Sequence, residues 1–329
     1  MTRDEMTDVR KQQGRPVLTE GEGGLFTQSW FPVALAGEVP AGAVVGRNFL
    51  DGKVVVFRAP DGTPRVMGAY CPHVGADLSL GRIVDGRLQC VFHRWEYDAS
   101  GQCVKTGIGD APPKAACLYG FPAQERFGFI WAFNGETPLF DLPTLPYPDE
   151  QLVTNCYRLD HPLHCDPWVF AANTPDMQHL KVVHKMQFEV DDPHKLVRWH
   201  EFGMEFDYMA THQGGVPMKN TAGILGTSVF YRWGQYGKYW RAGITGIGLV
   251  RPGMHEVYSF QAVLAGPDAK ENLQDVVSVS RRTVGEDNDI LNTVHYRQGT
   301  LTAGDLTLAR FFNYLRRYPR AHPSAPFIN

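Results

Sequence analysis

Cys71-Pro72-His73 and Cys90-Val91-Phe92-His93, with sixteen residues between them, constrain this chain more than any other feature. A [2Fe–2S] cluster with two cysteines on one iron and two histidines on the other needs one Cys and one His from each of two loops. A zinc site usually groups its cysteines together and its histidines together. The alternating order therefore favours the cluster over zinc or a chance grouping. Gly75 and Gly81 are expected to let the first loop turn tightly. Pro72 restrains the backbone at Cys71. Each histidine would ligate through one ring nitrogen and leave the other for a carboxylate or solvent.

Short runs of β-forming residues surround these motifs: Val54–Phe57, Pro64–Met67, Arg87–Cys90 and Phe127–Trp131. Asp-Gly and Ser-Gly pairs punctuate them as turns. The reading is a polar, flexible leader at 1–25, an antiparallel all-β domain at 26–135 and a Pro-rich linker at 136–150. A larger domain follows at 151–329. There the text promises a helix over 166–185 and strands over 226–233, 238–251 and 256–264. One or two further helices are expected over 287–317, so the fold class is α+β.

The net charge of −3 argues against a surface built to neutralise phosphates, so nucleic acid is not an expected partner. Of six cysteines, two belong to the cluster motif and the other four show no regular disulfide framework. The polar start lacks a signal-peptide core, and no apolar run reaches membrane-spanning length. A cytoplasmic protein with reduced thiols and no membrane association is the expectation.

A lone cluster carrier needs little more than the first domain. The second contains Asn173-x-x-Asp176-x-x-His179-x₄-His184. Two histidines five apart converge on one metal only if the helix is locally irregular. Asp176, three residues before His179, shares its helical face and is positioned to hydrogen-bond the ligand histidine. Two histidines and one carboxylate are the ligand set of mononuclear Fe(II) sites that keep positions open. The candidate carboxylates lie in Glu286-Asp287-Asn288-Asp289, read as the opening of the terminal helix, with Asp287 and Asp289 both eligible. His161, His164 and Cys165 offer a competing metal set, read instead as a structural loop. His194, His200, His212, His255, His295 and His322 read as ordinary surface or core histidines. Arg232 and Arg241 lie in an aromatic strand segment and are eligible to meet a substrate carboxylate, although exposure to solvent is the ordinary expectation for arginine.

Taken together, these motifs resemble the Rieske non-heme iron oxygenases, specifically the terminal oxygenase (α) subunit. The pattern is closest to the α₃ monooxygenase and demethylase branch. Trp30-Phe31-Pro32-Val33 resembles that family's entry strand, and Cys71 to Gly81 and Cys90 to Asp98 its two cluster loops. No extra loop cysteine forms the disulfide of respiratory Rieske proteins. Val74 and Arg94 depart from the residues common at those positions.

The resemblance implies a Rieske domain followed by a helix-grip (START-like) catalytic domain with a curved antiparallel sheet. It implies Cys71, His73, Cys90 and His93 on the cluster and His179, His184 and Asp287 on the mononuclear iron. Asp176 would then be the catalytic bridge for electrons in a head-to-tail homotrimer. The implied activity is O₂-dependent hydroxylation or O-/N-demethylation of a small aromatic or polycyclic molecule. Electrons would come from NAD(P)H through a separate reductase or ferredoxin, since the chain has no dinucleotide-binding glycine fingerprint of its own. A ring cis-dihydroxylase and a non-catalytic electron carrier are the alternatives.

Overall fold

A computed structural model describes residues 16–212, 214–294 and 300–321. His295, His322 and residues 1–15 of the expected leader lie outside the described residues. The described chain forms two compact units. One comprises 21–139, 248–252 and 320–321, and the other 16–20, 140–247 and 253–319 apart from the positions just excluded. Segments 248–252 and 320–321 thus cluster with the first unit.

The first unit is built from β1 (Phe26–Thr27), β2 (Trp30–Leu35), β3 (Val44–Phe49), β4 (Gly52–Arg58), β5 (Pro64–Gly68) and β6 (Arg82–Val84). β7 (Arg87–Gln89), β8 (Glu96–Tyr97), β9 (Cys103–Lys105), β10 (Gly120–Phe121), β11 (Ala123–Arg126) and β12 (Phe129–Phe133) complete it. They form sheets in the order β10-β5-β4-β3, β11-β12-β2 and β6-β7-β8-β9. β4 shows why the run of valines is needed. Val54 and Val56 enter one apolar core and Val55 and Phe57 another, so both faces of the strand are covered. Asp85 and Gly86, with φ of 48° and 74°, make the two-residue turn between β6 and β7. The strand expected from Phe127 starts at Phe129, because Phe127 and Gly128 adopt positive φ as the β11–β12 turn.

The second unit holds β13 (Leu152–Arg158), α1 (Pro167–Ala171), α2 (Met177–Val182), β14 (Gln187–Phe188), β15 (Val197–His200), β16 (Gly203–His212) and β17 (Val216–Leu225). β18 (Val229–Tyr236), β19 (Tyr239–Arg251), β20 (Met254–Leu264), α3 (Ala269–Leu291) and α4 (Leu306–Arg317) follow, and β21 (Arg320–Ala321) returns to pair with β1 in the first unit. Seven strands run in the order β13-β20-β19-β18-β17-β16-β14, with β15 also on β16, as a large curved antiparallel sheet. Met204, Phe206, Tyr208 and Ala210 alternate along β16 and fill the core with Trp168 of α1 and Phe311 and Leu315 of α4.

Two helical expectations are corrected. The 166–185 segment is two short helices, interrupted where Pro175 precedes a new N-cap at Asp176. Asp287 does not open the terminal helix. It lies in the last turns of the 23-residue α3. Val276, Val279, Ser280, Asp287 and Leu291 form a buried stripe at helical spacing that carries the helix straight through Gly285.

Candidate metal centres

Cys71 follows β5 in a loop closed by its own N–H donating to Ala76 O (2.9 Å) and by Gly75 N–H donating to Cys71 O (2.8 Å). Gly75 sits at φ 81°, as a tight turn requires. Gly81 serves differently. Its φ is not left-handed, and a Cβ there would lie 2.4 Å from Gln89 O. It is therefore needed for the close approach of the first loop to β7. The second loop, between β7 and β8, is closed by Cys90 N–H donating to Trp95 O at 2.8 Å. Gly107 supports it, because any Cβ would meet His93 O at 2.2 Å.

Cys71 and Cys90 are buried, whereas His73 and His93 are exposed with ring centroids 4.7 Å apart. His73 stacks on Trp95 at 4.3 Å and 10°, which fixes its ring plane. The hydroxyl of the fully buried Tyr97 lies 2.9 Å from Cys71 Sγ. Burial pushes the Cys71 thiol up, against the hydrogen bond from Tyr97, so a free thiolate there requires a compensating cation. Beneath the loops, buried Glu96 accepts hydrogen bonds from Lys105, Gln89 and Arg87. Burial raises its carboxyl, but these donors outweigh it and hold the group below the ordinary value. One tetrahedral zinc would bring all four donors within about 4 Å of one another. Among the described residues no three of Cys71, His73, Cys90 and His93 lie that close. One Cys and one His from each loop is the donor set that a [2Fe–2S] cluster of this ligation takes, two thiolates on one iron and two imidazoles on the other.

The second centre is assembled from α2, the turn that follows it and α3. Five residues along a regular α-helix separate two side chains by about 140°. Here the helix widens after His179: Val183 N–H donates to His179 O at 2.9 Å, His184 N–H to the same oxygen at 3.4 Å, and Met186 N–H to Leu180 O at 3.0 Å. The i→i+5 step is a π-type turn, and Lys185 ends it at φ 51°. The local irregularity swings His184 onto His179, with their Nε2 atoms 2.9 Å apart. Asp287 Oδ1 reaches both, at 3.3 Å from His179 and 3.5 Å from His184.

Donors bound at about 2.1 Å and right angles around one first-row metal stand about 3.0 Å apart, close to these spacings. Asp287 Oδ1 is buried without a hydrogen-bond partner. Such an atom is costly unless a cation meets it. Burial, the leading cause, holds His179 below the ordinary histidine value, so it is neutral at pH 7 and free to ligate. His179, His184 and Asp287 are the one such grouping among the described residues, and they fit a mononuclear metal. Asp289, the other eligible carboxylate, is exposed.

Asp176 caps α2, its Oδ1 accepting the His179 backbone N–H at 2.9 Å. That bond goes to the backbone and not to the ring that the sequence suggested. His161 and His164 are exposed while Cys165 is buried, and the three do not converge. His255 is wholly buried, where its Nδ1 meets Cys165 O at 2.7 Å. A cavity of about 120 Å³ adjoins the His179–His184–Asp287 grouping, walled by Phe170, Phe206, Tyr208 and Phe230. His212, Arg232 and Arg241 also line it, and the expected exposure of Arg241 is wrong: it is 2% exposed. A charged residue on an alternating strand looks the same in sequence whichever face it occupies. That is why solvent was the ordinary expectation for Arg241, and why His212 read as an ordinary histidine.

Residues 29–115 match the family model for the Rieske [2Fe–2S] domain, spanning both cluster loops. Residues 29–115 are a Rieske domain. Among curated relatives, the oxygenase component of dicamba O-demethylase from Stenotrophomonas maltophilia is 32% identical over 177 residues, covering 52% of this chain and 51% of that protein. The 3-chlorobenzoate-3,4-dioxygenase oxygenase subunit of Comamonas testosteroni is 35% identical over 150 residues, covering 44% of this chain and 33% of its own length. The chain thus spans about half the length of the first of these relatives and a third of the second. Among solved structures, dicamba monooxygenase bound to dicamba superposes with a TM-score of 0.71 at 21% identity, over 89% of this chain and 97% of that one. Pseudomonas putida CBB5 NdmA with caffeine superposes at 0.69 and 18%, over 87% and 89%. The chain has the Rieske oxygenase fold, Rieske domain and curved sheet together.

Proposed function

We propose that this chain is the terminal oxygenase of a system that hydroxylates or O-/N-demethylates a small aromatic molecule. Cys71, His73, Cys90 and His93 would hold the [2Fe–2S] cluster, and His179, His184 and Asp287 a mononuclear Fe(II). The carrying observation is Asp287 Oδ1, buried without a hydrogen-bond partner and facing the imidazoles of His179 and His184 at 3.3 and 3.5 Å. Iron bound there supplies the activation of O₂ and the oxidation of a substrate C–H bond.

The chain's own residues do the rest. The π-type turn after His179 sets the spacing of the two histidines, and α3 brings the carboxylate to them. Phe170, Phe206, Tyr208 and Phe230 hold an aromatic ring beside the centre and exclude water. Asp176, capping α2 next to His179, is the residue proposed to relay electrons in a head-to-tail homotrimer. The electrons come from a separate reductase or ferredoxin. A cytoplasmic setting belongs to the same reading, and no described helix is long and apolar enough to cross a membrane. The names of the relatives support the substrate class: dicamba and vanillate O-demethylases and a 3-chlorobenzoate dioxygenase.

Turnover with a surrogate reductase and ferredoxin, under ¹⁸O₂, tests the reading on a panel of aromatic methyl ethers. Formaldehyde release, or a product with one labelled oxygen, is the expected result. A cis-diol carrying two labelled atoms would make the chain a dihydroxylase. Cluster reoxidation by other carriers, with no product from any aromatic tested, would make it an electron carrier.

A further inference from the structure

Arg241 poses a problem that the metal centre does not solve. The side chain is 2% exposed, yet its Nε and Nη1 have no hydrogen-bond partner. Nη2 reaches only Met218 Sδ at 3.7 Å, and the guanidinium lies over the Tyr236 ring at 3.6 Å. An aromatic face offsets part of the charge but satisfies none of the N–H donors. The only acid among the residues lining the cavity is Asp287, which is directed at the histidines. Among the described residues no carboxylate pairs with Arg241 or Arg232.

The strand register shows that this is a built arrangement. β18 and β19 pair Arg232 with Gly243 and Gly234 with Arg241. Both arginines therefore project from one face as diagonal neighbours. Each stands opposite a glycine, which contributes no side chain to fill the space between the strands. A Cβ at Gly234 would collide with Lys219 O of β17 at 2.1 Å, and one at Gly243 would crowd the Gln261 amide at 3.1 Å. Two guanidinium groups side by side on one wall of a cavity repel each other. Burial first, and Arg232 second, bring Arg241 down to about 9, which still leaves it protonated at neutral pH.

We infer that the cavity takes a small aromatic carboxylate and that Arg241, assisted by Arg232, receives the carboxylate while the ring lies among Phe170, Phe206, Tyr208 and Phe230. A planar carboxylate matches the fork of a guanidinium and satisfies two of its donors at once. Calling this ligand the substrate rests on the oxygenase reading; the anion site itself does not.

The test is calorimetric titration of the anaerobic holoprotein with benzoate and 4-methoxybenzoate, each paired with its neutral amide. At least one acid is expected to bind at least about thirtyfold more tightly than its amide. Arg241→Met should abolish that preference while raising or preserving the melting temperature, because an uncompensated buried charge is removed. A purely structural arginine would do the reverse: the variant would melt earlier and the preference would persist. If Arg241→Met does not fold, Arg241→Gln and Arg232→Met are read the same way. Equal binding of acid and amide by the unmodified protein, or binding of neither acid, overturns the inference. Iron assayed on the same samples separates the two readings. An acid preference without mononuclear iron would sink the oxygenase and leave the anion site standing. Full iron with no acid preference would do the opposite.

Discussion

Asp287 Oδ1 stands 3.3 Å from His179 Nε2, buried, though the two residues lie 108 positions apart and on different helices. A carboxylate placed so, with no hydrogen bond to satisfy it, is an anion waiting for a cation. Asp287→Ala should therefore lose mononuclear iron while retaining the visible spectrum of the cluster. Asp289→Ala should lose neither, since that side chain is exposed. Iron retained in the first variant and lost in the second would move the ligand to the neighbour.

Asp176 has two separable jobs. Its Oδ1 caps α2 through the His179 backbone N–H, and Asn performs that task about as well as Asp. Asp176→Asn should keep both iron centres and the melting temperature yet lose product formation by at least about a hundredfold. Asp176→Ala should in addition cost about 1 kcal/mol of stability. Full turnover in Asp176→Asn would remove the residue from the electron path.

With Cys71 as a thiolate, Tyr97 is the only possible donor in their 2.9 Å contact. A hydrogen bond to a cluster sulfur draws charge away and raises the potential. Tyr97→Phe should lower it by about 40 mV, the equivalent of one hydrogen bond of about 1 kcal/mol. Protein-film voltammetry reads this directly, and an unchanged potential would show that the hydroxyl only fills space.

His255 is wholly buried, and burial brings it down to about 4 despite the opposing bond to Cys165 O. The unfolded chain takes up a proton on this residue near pH 6.5, while the folded one stays neutral to about pH 4. The unfolded state therefore binds more protons in that window, and stability falls as pH drops from about 6.5 towards 4. Melting temperatures across that range should decline more steeply for the unmodified protein than for His255→Gln. Parallel curves would show that His255 does not contribute.

The cluster motif was legible because each of its loops is local: four ligands, their spacing and the flanking turns all sit within 23 residues. His179 and His184 were legible for the same reason, and the condition on their convergence, an irregular helix, takes the form of the π-type turn. The position of Asp287 in its helix was not legible. Gly285-Glu286-Asp287 imitates a helix start, and only the buried stripe back to Val276 reveals a helix nearing its end. β16 carried a readable alternation, Met204, Phe206, Tyr208 and Ala210, that went unread between polar neighbours. β17 carries Pro217, Asn220 and Gly223, and its place in the sheet comes from its partners on both sides. Arg241 is the extreme case: its burial follows from strand register and from glycines opposite, which no single strand's sequence announces.

The most direct test of the two-centre account is iron and acid-labile sulfide per chain in anaerobically purified protein, with EPR after reduction. The account predicts three irons and two sulfides with a Rieske-type signal. Two irons and two sulfides with that signal, unchanged after added Fe(II), would contradict it and leave an electron carrier in place of an oxygenase.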